Sequence, residues 1–232
     1  MITSGASAAV RHVRDGGRRV AVCQLKDPRA PPGPRKLAPG PCTGPQRMTL
    51  DLTSVDLLTE RIRTERLLLR PFRPSDVDAV HRASQDPETQ RWISSIPVPY
   101  TREDARRFVE DVAPKERADR LGLSVVVEAD GVLVGTAGIY LRPGRLGPEI
   151  GYTIAPWGRR HGYAAETAHA LADWGLALGA PRVHLFADVR NSASQAVAVR
   201  AGFTREGVVR ACLDQRDGSR SDAVLFGRVA GD

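Results

Sequence analysis

Residues 149–189, EIGYTIAPWGRRHGYAAETAHALADWGLALGAPRVHLFADV, constrain the fold more than any other stretch. An alternating segment stops at Pro156. Ala164, Ala168, Leu171, Trp174 and Leu178 then recur at helical spacing. Gly179 supplies a left-handed cap, Pro181 forbids continuation, and RVHLFADV alternates as a strand. Strand, helix and strand in that order make a crossover unit, so strands 148–155 and 182–189 are expected to run parallel.

The flanking sequence reads differently. TERLLLRPF is a short strand stopped by Pro71. RPSDVDAVHRASQDP predicts a helix with Ser75 as N-cap. YTREDARRFVEDVAP predicts a second helix, capped by Thr101 with Asp104 three residues on. Its apolar stripe is Ala105, Phe108, Val109 and Val112, and Pro114 ends or kinks it. LSVVVEADGVLVGTAGIYL is a hairpin about Asp130-Gly131, and PEIGYTIAP extends it to an antiparallel meander. NSASQAVAVRAGF predicts a short helix closed by Gly202, and a last hairpin turns at Asp217-Gly218. The fold class is mixed α/β.

Charge is concentrated at one end. The chain holds 34 Lys and Arg against 27 Asp and Glu, a net +7. Residues 1–47 contain nine of the basic residues and only Asp15 and Asp27 as acids, which leaves 25 of each sign for residues 48–232. The basic excess therefore belongs to the leader, and a nucleic-acid role for the folded part is disfavoured. PRAPPGPRKLAPGPCTGP, residues 28–45, buries too little apolar surface to offset its ordering entropy. The expected organisation is a disordered basic leader over residues 1–58, with Met48 as an alternative start, and a folded domain over 59–232. Cys23, Cys42 and Cys212 form no disulfide framework, and the scattered histidines no metal-ligand pattern. No metal is expected, no apolar run is long enough to span a membrane, and the reading is of a reduced, cytoplasmic protein.

The loop PWGRRHGYAAE, 156–166, lies between the first parallel strand and its helix. A helix begins with backbone N–H groups that lack intrahelical partners, at the positive end of its dipole. Gly162 lets backbone approach an anion closely, Ala164 keeps the next turn small, and Arg159 and Arg160 add guanidinium groups suited to phosphate oxygens. The spacing reads as a seat for a pyrophosphate, with a solvated basic loop as the duller alternative.

TERLLLRPF, EIGYTIAP, the arginine–glycine loop, and Asn191-x-x-Ser194 followed by GF and REG occur in an order that resembles the GNAT superfamily of N-acetyltransferases, in its RimJ/RimL-like branch. The resemblance runs from about residue 62 to 229. It implies a central, mostly antiparallel sheet of about seven strands with a splayed parallel pair and flanking helices. It implies acetyl-CoA as cofactor, with its pyrophosphate on the backbone of residues 159–164 (Arg159, Arg160, His161, Gly162, Tyr163, Ala164) and its pantetheine arm along the strand edge near Ile154. It implies an amine acceptor, in that branch a protein N-terminus. Alanine stands at 164 where relatives often have glycine, and His161 where many have another polar residue.

Acetyl transfer needs a neutral amine, a polarised carbonyl and a proton for the departing thiolate. An α-amine, with reference pKa near 8, needs only a weakly basic helper. Glu149, alternating with Gly151 and Thr153 along the strand, is the first candidate base, against a plain solvent-facing glutamate. Ser194 matches the family's serine and is the candidate proton donor, and Asn191 contacts cofactor, caps a helix, or does both. Asp214 is a weaker acid/base candidate, and Tyr140 and Tyr152 could donate protons but more often pack. WISSIPVPY, with Trp92, is a loop expected to flank the acceptor. Trp174 reads as core, and His184 as a sheet residue with its hydrogen bond satisfied. The alternatives to a protein N-terminal amine are a small amine, such as an amino acid or antibiotic, and a non-catalytic acyl-CoA-binding module. A homodimer is also allowed.

Overall fold

The computed structural model describes residues 9–15, 18–24, 50, 52–141 and 146–232. Contacts divide the chain into two units, Met1–Pro45 and Gln46–Asp232. The first holds an antiparallel hairpin, β1 (Ala9–Asp15) and β2 (Arg18–Gln24), where no regular structure was expected. Most of the Pro/Gly-rich leader, and Met48, lie outside the described residues.

The second unit begins earlier than the expected edge at residue 58. Leu57 is buried in the main core, and Leu50, Leu52 and Val55 pack against it. The Arg117 guanidinium reaches the carbonyl oxygens of Leu57 and Glu60 and tethers this segment. Leu50, Leu52, Val55 and Leu57 meet a core made by residues distant in sequence, which local composition does not reveal.

The large sheet has eight strands, one more than expected: β3 (Ile62–Arg63), β4 (Leu68–Arg70), β5 (Gly122–Ala129), β6 (Val132–Tyr140), β7 (Glu149–Ile154), β8 (Arg182–Asp188), β9 (Thr204–Asp214) and β10 (Arg220–Val229). Their spatial order is β3-β4-β5-β6-β7-β8-β10-β9. Every pairing is antiparallel except β7 with β8, which meet only at Glu149 opposite His184. Beyond that contact the two strands part, as the resemblance implied.

Helices cover both faces. α5 (Tyr163–Ala177) and α6 (Ser192–Arg200) lie on one, where Ala168, Leu171 and Ala198 share the main core with Ile139, Ile150, Val183 and Leu185. A Cβ at Gly175 would meet Ile139 Cδ1 at 2.8 Å, so the glycine lets α5 press close to the sheet. A second core on the other face joins Val77, Val80, Ala105 and Val109 to Val126 and Leu133. It is formed by α1 (Val77–Ser84), α3 (Arg102–Arg107) and their neighbours.

Three helix boundaries depart from expectation. Ser75 does not cap α1. Asp76 organises that end instead: buried, it accepts the Arg73 N–H at 2.7 Å and both terminal nitrogens of Arg70 at 2.8 Å. A separate helix, α2 (Pro87–Trp92), interrupts the predicted loop. Asp86 caps it by accepting the Thr89 N–H at 2.8 Å, and Pro87 occupies its first position. The helix after Thr101 does not end at Pro114. A π turn at Phe108–Val112, in which the Ala113 N–H reaches Phe108 O, carries it into α4 (Ala113–Ala118). The widened turn accommodates the proline ring. It also rotates Val112 off the apolar stripe, leaving it 49% exposed.

Candidate active site

Residues facing one another across paired strands share a side of the sheet, and sides alternate along a strand. Ile150 and Tyr152 belong to the α5/α6 side, where they meet the main core. Glu149, Gly151 and Thr153 therefore face α1–α4. The opening between β7 and β8 joins the two sides.

On the α5/α6 side a groove of about 450 Å³ runs from the 158–165 loop along α6 to Arg200. Gly162 caps α5 with φ +83°, in the left-handed region that favours glycine, and no side chain caps that helix. The Ala165 and Glu166 N–H groups both turn back to Gly162 O. Tyr163 and Ala164 line the groove, as does Ile154 from the strand edge. The seat is a bare helix start beside a channel of cofactor size, which fits a diphosphate with an extended arm.

Arg160 is exposed and lines the groove. Arg159 lines the groove as well and has a second attachment that the sequence did not show. Its guanidinium pairs with Asp86 and bonds Thr89 Oγ1 at 3.1 Å, and its Nε donates to Ile154 O at 3.3 Å, so it ties the loop to the start of α2. Burial works against ionisation of Asp86, yet hydrogen bonds from Arg159 and Thr89 outweigh it and bring its pKa below the usual range. His161 stacks on Tyr163 with ring centroids 5.4 Å apart, and its Nδ1 lies 2.7 Å from Arg159 O. An unforeseen residue closes the loop from behind: Arg66 bonds Glu166, in the first turn of α5, through Nε at 2.8 Å. The signal was the arginine of TERLLLRPF, quoted as a motif and given no role.

On the opposite side a cavity of about 720 Å³ is lined by β6, β7, α1–α3, the π turn and the β9–β10 hairpin. Glu149 lines it, together with Tyr140, Cys212 and Asp214. The Tyr140 ring lies flat over the sheet because Gly138 and Gly151, paired across β6 and β7, carry no side chains. A Cβ at Gly138 would meet its ring at 2.7 Å, and one at Gly151 at 3.3 Å. Asp214 is exposed and paired with Arg220 at 2.7 Å. Burial raises the Cys212 thiol pKa. Trp92 and Ile93 border both cavities, and Trp92 Nε1 donates to Glu88 Oε1 at 2.6 Å.

The two spaces meet at Tyr152, Thr153, Asn191 and Ser194. Ser194 Oγ lies 3.0 Å from the Tyr152 hydroxyl, which also donates to Ser194 O at 3.2 Å. Burial pushes the Tyr152 pKa up to about 12, so the pair holds its protons at neutral pH. Asn191 caps α6 by accepting the Ser194 N–H at 2.9 Å, and so positions the serine as well as lining the groove. Asp188, at the end of β8, is held well below the carboxylate range by Arg190, against the cost of burial, with help from Ser221. The network anchors β8 and β10 behind the junction.

Two other residues meet expectation only in part. His184 is a buried sheet residue whose ring meets backbone groups of Leu146 and Pro148, as expected of a satisfied histidine, although its Nδ1 has no hydrogen-bond partner. Trp174 packs against the core only partly buried and donates to Glu60 Oε1 at 3.0 Å. Among the described residues no group of three His, Cys, Asp or Glu side chains could hold a metal ion, and no helix is long and apolar enough to cross a membrane.

A splayed parallel pair, a bare helix start and a second cavity across the sheet define an acyl-CoA-dependent transferase. A family model described as an acetyltransferase (GNAT) domain matches residues 66–204. The chain belongs to the GNAT acetyltransferases, and acetyl-CoA is its acyl donor. It is 29% identical over 154 residues to the uncharacterized N-acetyltransferase YnaD of Bacillus subtilis (strain 168), covering 66% of this chain and 87% of that protein. Among solved structures, a GNAT-family acetyltransferase from Bacillus anthracis is 27% identical with a TM-score of 0.63, covering 73% of this chain and 98% of that one. RimL, a ribosomal L7/L12 alpha-N-protein acetyltransferase in complex with coenzyme A, shares the fold at 22% identity and a TM-score of 0.65, covering 73% and 98%.

Proposed function

We propose that the protein is a cytoplasmic enzyme that acetylates the N-terminal α-amine of a protein or peptide, with the pyrophosphate of acetyl-CoA on the 159–164 backbone. The acyl group comes from the thioester of acetyl-CoA. Arg160, Gly162, Tyr163 and Ala164 hold the diphosphate end, Ile154 borders the arm, and Asn191 orients the start of α6. The observation that carries the reading is the large cavity on the far side of the sheet, with Glu149 in its wall and the Tyr152–Ser194 pair at its floor. At about 720 Å³ it has room for a short chain terminus.

Glu149 takes the proton of the incoming ammonium, directly or through one water. A single carboxylate suffices for an α-amine with reference pKa near 8, less readily for a lysine near 10.4. As the nitrogen bonds to the acyl carbon and the C–S bond breaks, the departing thiolate takes the Ser194 hydroxyl proton, and the proton that the acylated nitrogen sheds returns to Ser194 through Tyr152. RimL, which shares the fold, is described as an alpha-N-protein acetyltransferase, in line with this acceptor.

The test is a thiol-release assay with acetyl-CoA over N-terminally free peptides, N-terminally blocked lysine peptides, free amino acids and aminoglycosides. The expected result is turnover confined to free N-termini. Turnover only on small amines would transfer the assignment to them, and binding without release for every acceptor would leave a non-catalytic module.

A further inference from the structure

Arg66 gathers more of the cofactor loop than any other side chain. Besides the bond through Nε, it reaches Glu166 Oε2 through Nη2 at 2.5 Å, and its backbone N–H donates to Oε1 at 3.2 Å. Nη1 donates to His161 O at 3.0 Å, and the guanidinium lies 5.3 Å from the Tyr163 ring centroid. A Cβ at Gly162 would stand 3.4 Å from Nη2. Thr64 Oγ1 donates to the other Glu166 oxygen at 2.6 Å. The partners are about a hundred residues apart in sequence, so the clamp exists only in the folded chain.

Glu166 presents a difficulty that Arg66 removes. A carboxylate in the first turn of a helix competes with any other anion for the positive end of the dipole. Burial opposes its ionisation, but the Thr64 and Arg66 bonds prevail, so it is charged at neutral pH. Without a partner it would repel a diphosphate seated one turn away.

We infer that Arg66 is a positioning residue for acetyl-CoA, which neutralises Glu166 and holds the His161–Gly162 backbone so that the start of α5 presents positive potential to the pyrophosphate. This rests on the reading that the pyrophosphate occupies the 159–164 loop. Electrostatics then gives the two partners opposite signs. Arg66→Gln strands a negative charge and weakens binding. Glu166→Gln strands a positive charge and tightens it. A clamp that worked by mechanical bracing alone would weaken binding in both.

The experiment is calorimetric titration of the full chain with acetyl-CoA and with S-acetylpantetheine, which lacks the pyrophosphate. For acetyl-CoA, Arg66→Gln is expected to raise Kd about tenfold. Glu166→Gln is expected to lower it, and the double variant to fall between them. The Arg66→Gln defect shrinks as salt rises, because the repulsion is screened. S-acetylpantetheine binding changes in none of them. A raised Kd in both single variants overturns the inference. Should Arg66→Gln fail to fold, Glu166→Gln decides alone, since a raised Kd there contradicts the charge argument. Gly162→Val probes the seat itself. Weakened acetyl-CoA with unchanged S-acetylpantetheine supports the seat; no effect on either ligand removes the seat, and the role of Arg66 with it.

Discussion

The two sides of the sheet are built by different means. The side proposed for the cofactor comes mainly from one contiguous run, Glu149 to Arg200, in which strand, turn, helix, strand and helix follow one another, with α2 and Ile93 at its border. Its main instrument is backbone: a left-handed glycine and a helix start. The acceptor side is assembled from α1–α4, β6, β7 and the β9–β10 turn, which are far apart in sequence. Side chains stitch it together. Arg216, in the last hairpin, donates to Ile96 O at 2.6 Å and to Gln90 O and Ile93 O at 3.1 Å, across 120 or more residues. An invariant ligand can be held chiefly by backbone, with a side-chain clamp such as Arg66 behind it. A variable acceptor is met by side chains and loops, which can change without disturbing the other half.

That contrast can be broken by variants that should affect one side only. The largest effect is expected for Glu149→Gln, with kcat down about 10²–10⁴-fold and acetyl-CoA affinity unchanged by calorimetry. Loss of acetyl-CoA binding instead would mean that the two sides are not separable. Ser194→Ala should lower kcat about 10–100-fold, again with little change in cofactor affinity. A pH profile sharpens this assignment. The donor must be protonated, and burial holds Tyr152 up to about 12, so kcat should show no alkaline fall below pH 11. A fall near pH 9 would point to a different donor.

Asp188→Asn tests the support shared by both sides. The buried carboxylate carries two bonds to the Arg190 guanidinium and one from Ser221, so its loss should cost about 1–3 kcal/mol in a denaturant melt. The folded pKa is depressed, so this contribution is complete above the unfolded value of 3.8 and disappears as pH falls below it. The wild-type and variant stabilities should therefore converge in acid. The smallest effect is expected for Arg216→Ala. Its bonds are exposed, so acceptor KM should rise only about threefold to tenfold, with acetyl-CoA affinity intact. An equal loss of cofactor affinity would show that the acceptor loops also shape the groove.

The legibility of the sequence follows the same division. The parallel pair, α5, the Asp130-Gly131 turn and the Gly162 turn before α5 were readable because each depends on neighbours a few residues away. Asp130 and Gly131 indeed both adopt positive φ, as the tight turn requires. Glu149 and Ser194 were named as candidates, but only the register of β7 and the cap of α6 put one in the wall of the acceptor cavity and the other at its floor. Arg159 lines the groove, but its pairing with Asp86 was not foreseen, because Asp86 caps a helix that the Asp-Pro pair could have announced. Arg66 had only its place in TERLLLRPF and Arg216 had no local signal: an arginine in a turn looks alike whether it faces water or spans the molecule.

Local spacing and turn chemistry thus specified most of the order of elements, the crossover and the glycine-led helix start, since these depend on short-range sterics and hydrogen bonds. Folding in three dimensions decided which guanidinium meets which carboxylate and how wide the acceptor space is. It also put Tyr152 beside Ser194, because such contacts arise only when residues far apart in sequence, 42 positions here, are brought within a few ångströms.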